Sequence, residues 1–390
     1  MTDGIACLVV AFLLLAFVAQ SASILLVLFR MHARGRKGAR LSGASLEDNA
    51  GVSVLRPVCG MDFALEETLA STFQLRHAPL EILFCVESPE DAALPLLRAL
   101  IAANPGVDAR ILIGRDPISG NPKLNNLVKG WNAARHDWIV MADSNFLLPP
   151  DYIETLLARW DDRTGLVSSP PFGMHARGLW GALESAFLNT YQARWQFAAA
   201  QIGLGFAQGK TLFWRRDILE RGGGLAALGG EMAEDVASTK LVHRLGLKVR
   251  LPERPFAQPI GARRFGDVWQ RQLRWARVRR LGFLPIFLPE LVSGGALPFA
   301  AGLGLVLGGA MAPLWLLAGI LIWYGAEAVL ARAAGWAHGP ADLAAWLIRD
   351  ALIPALWLAS WRSGDFSWRG NEMHADDPTR LSGKESGGRP

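Results

Sequence analysis

Apolar and polar positions divide the chain into three regimes. Residues 5–29, IACLVVAFLLLAFVAQSASILLVLF, carry no charge, and about 25 residues rising roughly 1.5 Å each cross a hydrocarbon core of about 30 Å. A secretory signal peptide would also be N-terminal and apolar, but this run is too long for one and no positive segment precedes it. Residues 1–30 are therefore expected to form a retained transmembrane anchor. From residue 51 to about 262 the pattern changes to short apolar or β-branched runs separated by helix-length stretches. VSVLRPV, LEILFCVES, ARILIGR and DWIVMADSN read as strands, and residues 65–74, 95–104 and 123–135 as helices with one apolar face. That alternation predicts an α/β domain with a mostly parallel, mixed sheet flanked by helices. Ligands of such sheets bind beyond the carboxyl ends of the strands, so residues 87–91 and 143–145 are expected to border one crevice.

The half beginning at Gly165 carries LVSSPP, a long helix with Trp180, Leu183, Phe187, Tyr191 and Trp195, the run FAQGKTLFWRRDIL, and a glycine-rich turn at residues 222–224. Packing is the simpler reading of those aromatics. Residues 291–361 are apolar again. Two spanning helices are expected at about 291–309 and 312–331; a stretch at 341–361 contains Arg349 and Asp350 and either spans as a third helix or lies in the interface. A polar tail follows from residue 362.

Composition sharpens this picture. A 51% apolar content over 390 residues is high for a soluble chain, and the membrane segments account for the excess. Arg30, Arg34, Arg36, Lys37 and Arg40 follow the anchor, whereas Asp3 is the charge before it. The positive-inside rule thus sends the basic linker at 31–50 and the domain behind it to the cytosol. Cys7, Cys59 and Cys85 have neither zinc spacing nor a disulfide framework, in keeping with a reducing compartment. The net charge is +5, and Arg263, Arg264, Arg271, Arg274, Arg277, Arg279 and Arg280 crowd residues 263–290. Nucleic acid, lipid headgroups and a diphosphate would all suit such a cluster. Its place beside a membrane segment favours the last two, and no nucleic-acid partner is expected.

Asp143 ends the apolar run WIVMA, where a buried strand would emerge. A carboxylate there can hold a hard divalent cation that bridges two phosphates, although a turn or cap is the plain alternative. Glu234 and Asp235 open an amphipathic helix, where acids are also favoured by the helix dipole alone. A carboxylate near a sugar donor can act as general base toward an acceptor hydroxyl. Arg271 and Arg274 fall three positions apart on one helical face beside Trp275, so both guanidiniums can address one anion. In Asn121-Pro122-Lys123-Leu124-Asn125-Asn126 a fixed φ at Pro122 starts a helix whose Lys123 and Asn125 can face donor phosphates, or which is merely capped. Glu90 and Asp91, after a predicted strand, can accept hydrogen bonds from a base or ribose.

Taken in order, FCVESPEDAA, NPKLNNL, ADSN, AEDV and RQLRW, flanked by hydrophobic segments, resemble the ceramide glucosyltransferases of glycosyltransferase family 21. This is a branch of the family 2-like enzymes with the GT-A fold, and the likeness covers nearly the whole length. Its three spaced aspartates and Arg-Trp signature fall on Asp91, Asp143, Asp235 and residues 271–275. The resemblance implies that Asp91 helps hold the nucleotide, that Asp143 serves a metal-bound diphosphate with Mg²⁺ or Mn²⁺, and that Asp235 is the catalytic base. Arg274 and Trp275 would close over the diphosphate and the acceptor entrance. Asp143-Ser144-Asn145 lacks the second acid of a full Asp-X-Asp motif, and Glu90-Asp91 stands where relatives can have two aspartates.

The implied reaction is inverting transfer of glucose from UDP-glucose to the primary hydroxyl of ceramide, by an integral protein of a bacterial inner membrane. Trp269, Phe283, Pro285 and Phe287 are expected to shape a lateral entrance for the lipid. UDP-galactose and UDP-N-acetylglucosamine are the next donors, and hopanoids or diacylglycerol the next acceptors. A processive polysaccharide synthase would need more C-terminal spans, and an inactive scaffold would have no reason to keep Asp235 and both arginines. The expected order is anchor 1–30, linker 31–50, GT-A domain 51–262, arginine-rich region 263–290, membrane helices 291–361 and tail 362–390.

Overall fold

The computed structural model describes residues 3–32, 50–368 and 371–373. Most of the basic linker, with Arg34, Arg36, Lys37 and Arg40, and most of the polar tail lie outside the described residues. The chain forms two units. One comprises Met1–Gly43, Pro170–Gly205 and Glu253–Arg362; the other comprises Ala44–Ser169, Phe206–Pro252 and Ser363–Pro390. Residues 170–205 and 253–262, expected within one catalytic domain at 51–262, thus group with the membrane helices.

Strands are β1 (Val52–Val58), β2 (Leu80–Val86), β3 (Asp108–Ile113), β4 (Trp138–Ala142), β5 (Thr164–Ser168), β6 (Pro171–Arg177), β7 (Thr211–Arg215), β8 (Lys248–Arg250) and β9 (Phe256–Ala262), with a short hairpin of Phe366–Trp368 and Asn371–Met373. In the second unit seven of them make a sheet in the order β3-β2-β1-β4-β7-β5-β8. Its pairs are parallel except those of β7, which runs antiparallel to β4 and β5. The mixed α/β sheet expected from the apolar runs is therefore present. β4 is buried along its whole length, because helices cover both faces and leave no side for polar residues.

Two-residue periodicity separates two cores. Leu55, Leu83, Cys85, Ile139 and Met141 face one cluster with Leu124, Leu127, Leu241 and Val242, whereas Val58, Ile82, Phe84 and Val86 face the other with Leu65, Leu69, Leu94 and Leu97. Helix Pro122–Ala133 starts as its sequence dictates: Asn121 Oδ1 accepts from the backbone N–H of Lys123 at 2.9 Å, and Pro122 occupies the first turn. Gly130 lets this helix meet the sheet, since a Cβ there would come to 2.6 Å from Cys85 Sγ and 3.2 Å from Leu55 Cδ2.

In the other unit β6 and β9 form a parallel pair. The helix Gly178–Ala186 continues through a π-helical segment, Phe187–Ala193, into Arg194–Gln201. Among the described residues, Gly4–His32, Pro313–Ala334 and Pro340–Ser360 are long and apolar enough to cross a membrane. The chain is therefore a membrane protein with one N-terminal and two C-terminal candidate spans. The expected span at 291–309 is a broken one: Leu284–Val292 and Ala296–Leu307 are bent by 40° at the break between them and together are long and apolar enough to cross a membrane. Residues 341–361 meet the length and hydropathy of a span despite Arg349 and Asp350. Their charges are neutralised internally: Arg349 pairs with Glu327 at 2.8 Å and Asp350 at 2.7 Å, and all three side chains are buried. Tyr324 and the Gly295 N–H also donate to Asp350, at 3.0 and 2.8 Å. Phe17 packs edge-on to Trp323 at 5.3 Å and so joins the N-terminal helix to this group.

Two outcomes are expected in thermal unfolding of the purified chain in detergent. Gly130→Ala should lower stability by about 1–3 kcal/mol through overpacking against Cys85, and an unchanged midpoint would contradict the close helix–sheet contact. Arg349→Met should lose roughly 3–5 kcal/mol by stranding two buried carboxylates, more than the double change with Glu327→Gln.

Candidate functional site

In the sheet unit, a charged cluster gathers where three kinds of chain end meet. Asp143 follows β4, Gly209 and Lys210 precede β7, and Glu234 and Asp235 open helix Glu234–Arg244. The antiparallel β4–β7 pairing sets the first two side by side, with the Asp143 N–H donating to Lys210 O at 3.1 Å. Lys123, from the first turn of its helix, sits at the centre. Its ammonium lies 2.7 Å from Asp143, 2.7 Å from Glu234 and 2.6 Å from the Gly209 carbonyl. Lys210 reaches the other oxygen of Asp143 at 2.9 Å and Asn145 Oδ1 at 2.9 Å. Asn121 completes the frame by donating to Glu234 at 2.9 Å. Asp235 accepts from the N–H groups of Gly209 at 3.0 Å and Val236 at 2.8 Å. Gly209 leaves room for this arrangement, because a Cβ there would lie 2.6 Å from Glu234 Oε1 and push that carboxylate away from its present position.

Electrostatics divides the three acids into roles. Burial works to raise the pKa of Asp143, but Lys123 and Lys210 outweigh it and hold the carboxyl well below its usual range. Burial likewise opposes the charge on Lys123, and Asp143 with Glu234 more than restores it, so the ammonium titrates above its ordinary value. Asp235 goes the other way. Burial and the neighbouring Glu234 push it up to about 7, with Lys123 acting in opposition. One acid is thus fixed as an anion while another can take up and release a proton near neutrality, which is the property a general base needs.

The backbone beyond Asp143 is pinned from below. Arg56, fully buried on β1, donates to the carbonyls of Ser144 and Phe146 at 3.1 Å each and of Thr68 at 3.2 Å. Because β2, β1 and β4 are parallel neighbours, residues 87–91 and 143–145 emerge at the same edge of the sheet. Glu90 and Asp91 make local contacts there. Glu90 accepts from Ser88 Oγ at 2.8 Å, and Asp91 accepts from the N–H groups of Gly60 and Ala93 at 2.9 and 2.8 Å. Asn125 holds the loop before its own helix, accepting from Ile118 and Ser119 at 2.9 Å each and donating back to Ser119 O at 2.8 Å.

Arg271, Arg274 and Trp275 belong to the helical unit, on helix Phe265–Gly282. Arg271 addresses a protein carboxylate: it pairs at 2.7 Å with Glu184, whose side chain is fully buried. Phe287, expected at a lateral entrance, is instead buried and stacked on Trp357 at 5.8 Å.

Sequence reasoning missed Lys210 and Glu184. Lys210 becomes a partner of Asp143 only through the antiparallel insertion of β7, which no local pattern announces. Glu184 left a fainter signal, an acid within the apolar and aromatic helix GLWGALESAFLNTYQARW, since such a residue needs a cation.

A divalent cation can be weighed against these donors. Among the described residues no group of three or more His, Cys, Asp or Glu side chains comes together to hold a metal. Asp143, 25% exposed and kept ionised, can still supply one carboxylate. A hard cation would take its remaining oxygens from phosphates and water, which suits Mg²⁺.

Comparison with known proteins gives a family and several relatives. The profile described as Glycosyl transferase family 21 matches residues 12–381. Ceramide glucosyltransferase 1 of Caenorhabditis elegans is 29% identical over 233 residues, which are 59% of this chain and 50% of that protein. Ceramide glucosyltransferase 3 of the same organism is 25% identical over 349 residues, 86% of this chain and 75% of that protein. The match thus spans half the length of the first relative and three quarters of the second. Among solved structures, mannosyltransferase PcManGT from Pyrobaculum calidifontis, in complex with GDP-Man and Mn²⁺, is 18% identical, with a TM-score of 0.48 and coverage of 91% of this chain and 98% of that one.

Proposed function

The chain belongs to glycosyl transferase family 21, and from that premise we propose that it transfers glucose from UDP-glucose to the primary hydroxyl of ceramide at the cytosolic face of a bacterial inner membrane. The observation that carries this reading is the cluster around Lys123, in which one carboxylate is held ionised and a second titrates near neutrality. Relatives named ceramide glucosyltransferase support the choice of sugar and lipid, and the three candidate spans keep the enzyme where a lipid acceptor resides. The arginines that follow the anchor in sequence support the cytosolic orientation.

In this mechanism Asp235 takes the proton of the lipid hydroxyl. The freed oxygen attacks C1 of the sugar from the side opposite the nucleotide, the C1–O bond to the diphosphate breaks, and UDP leaves with that bond's electron pair. Attack from the far side inverts the anomeric centre. Lys123 and Lys210 are the cations nearest Asp143 and would turn toward the diphosphate as its charge grows, a stabilisation realised mainly in the transition state. A divalent cation at Asp143 would add Lewis-acid neutralisation of the same oxygens. Glu90, Asp91 and Asn125 shape the loops beside this edge and would serve the nucleotide. Arg274 and Trp275 would serve the diphosphate and the acceptor, with Arg271 fixing their helix through Glu184.

Detergent-solubilised enzyme supplied with UDP-glucose and Mg²⁺ should form hexosylceramide in preference to glycosylated diacylglycerol or hopanoid, read by mass spectrometry. Asp235→Asn should lower turnover by about 10²–10⁴-fold; full activity in that variant would remove Asp235 from the mechanism. Because the base must be deprotonated, kcat/KM should rise with pH and level off above an apparent pKa of about 7. Lys123 acts to lower that value, so Lys123→Met should move the rise to higher pH. A shift toward lower pH would contradict the assigned electrostatics.

A further inference from the structure

The helix of residues 178–201 turns π-helical over Phe187–Ala193. Such a segment is rare and recurs at functional sites, because its wider turn aims side chains off the α-helical ladder. Here it presents two buried carboxamides, Asn189 and Gln192. Asn189 is satisfied at both ends by one residue of β6: its Oδ1 accepts the Gly173 N–H at 2.6 Å, and its Nδ2 donates to the Gly173 carbonyl at 3.2 Å.

Gln192 is satisfied at one end. Its Nε2 donates to Oε1 of Gln272 at 2.9 Å, which leaves Gln192 Oε1 and Gln272 Nε2 buried without a protein partner. The two residues are 9% and 2% exposed. Exchanging donor and acceptor within the pair does not change the result, since two carboxamides joined by one hydrogen bond always keep one free oxygen and one free amino group. Polar groups this deep are normally paired. The same unit holds further open groups around Gly173. Ser185 Oγ lies 2.6 Å from where a Cβ on Gly173 would sit, Gln258 is the register partner of Gly173 across β6 and β9, and both side chains are buried with an unpartnered oxygen.

One free acceptor and one free donor on adjacent side chains are the complement of a secondary amide, whose N–H and C=O occupy separate atoms. An ester matches the donor alone. We propose that Gln192 and Gln272 form a recognition point for a secondary amide of the substrate, Gln192 Oε1 accepting from its N–H and Gln272 Nε2 donating to its C=O. This deepens the proposed function and rests on its lipid acceptor. Two substrates can bring the amide, the N-acyl group of the lipid or an N-acetyl group on the donor sugar. Gln272 lies inside RQLRW, at a position between the two arginines that the Arg-Trp signature leaves variable.

The test uses the full chain in detergent, with Gln192→Met and Gln272→Met. Transfer is measured from UDP-glucose to ceramide and to diacylglycerol, and from UDP-N-acetylglucosamine to diacylglycerol. Each variant should raise KM for ceramide roughly tenfold, with kcat moving far less, and so lower the preference for N-acyl over ester acceptors by a similar factor. A rise confined to KM for UDP-N-acetylglucosamine would keep the amide site and assign it to the donor. Unaltered KM values in all three arms would overturn the inference. Where Gln192→Met fails to fold, Gln192→Glu keeps the shape and the free oxygen and should raise KM for ceramide less than Gln272→Met does. If wild type transfers sugar to no lipid, the proposed function fails by itself. Binding of a short-chain ceramide, followed by tryptophan fluorescence, then still decides the amide site by whether the variants bind it more weakly.

Discussion

A single buried ammonium organises the sheet unit. Lys123 contacts Asp143, Glu234 and the Gly209 carbonyl at 2.6–2.7 Å, and these groups come from the ends of β4 and β7 and the start of a helix. Without that cation, three carboxylates brought together at the sheet edge would repel one another in a medium that screens poorly. With it and Lys210, the charges of Asp143 and Glu234 are balanced by contact, and Asp235, hydrogen-bonded to N–H groups only, is left to feel burial and Glu234. The pairing that stabilises the cluster is therefore also what makes its members chemically unequal.

The helical unit solves the same problem with arginines. Glu184 and Glu327 are both fully buried acids, and each meets a guanidinium at 2.7–2.8 Å, Arg271 and Arg349 respectively. These pairs fix helices by ionic contact where apolar side chains alone define register loosely, and removing either partner would leave a charge without solvent. Asp350 and Glu327 are thus tolerated in helices that otherwise qualify as membrane spans. The π-helical segment departs from this economy, since its Gln192 stays half-satisfied while its Asn189 does not.

Much of the sheet was legible in the sequence because a strand covered on both faces is almost wholly apolar, as WIVMA is, and VSVLRPV apart from Ser53 and Arg56. Asn121-Pro122 announced its helix by cap chemistry, and Glu234-Asp235 announced theirs by acids in a first turn. The rest depended on tertiary pairing. Lys210 joins Asp143 because β7 runs antiparallel to β4, and residues 170–205 leave the sheet unit because β6 pairs with β9 rather than with the main sheet. The π turn is invisible to a search for helical periodicity, as the run FLNTYQA reads equally well as an α-helix. The C-terminal spans at 313–334 and 340–360 fall within three residues of their expected bounds because hydropathy registers length well, whereas the break after Val292 is invisible to it.

The account stands on the claim that the Lys123 cluster is the diphosphate end of a nucleotide-sugar site, and equilibrium binding of UDP to the solubilised protein tests it most directly. Wild type and Asp235→Asn should bind UDP with similar affinity, because Asp235 acts on the acceptor, whereas Lys123→Met should bind at least tenfold more weakly. Equal affinity in wild type and Lys123→Met would contradict the claim and move the donor site elsewhere in the chain.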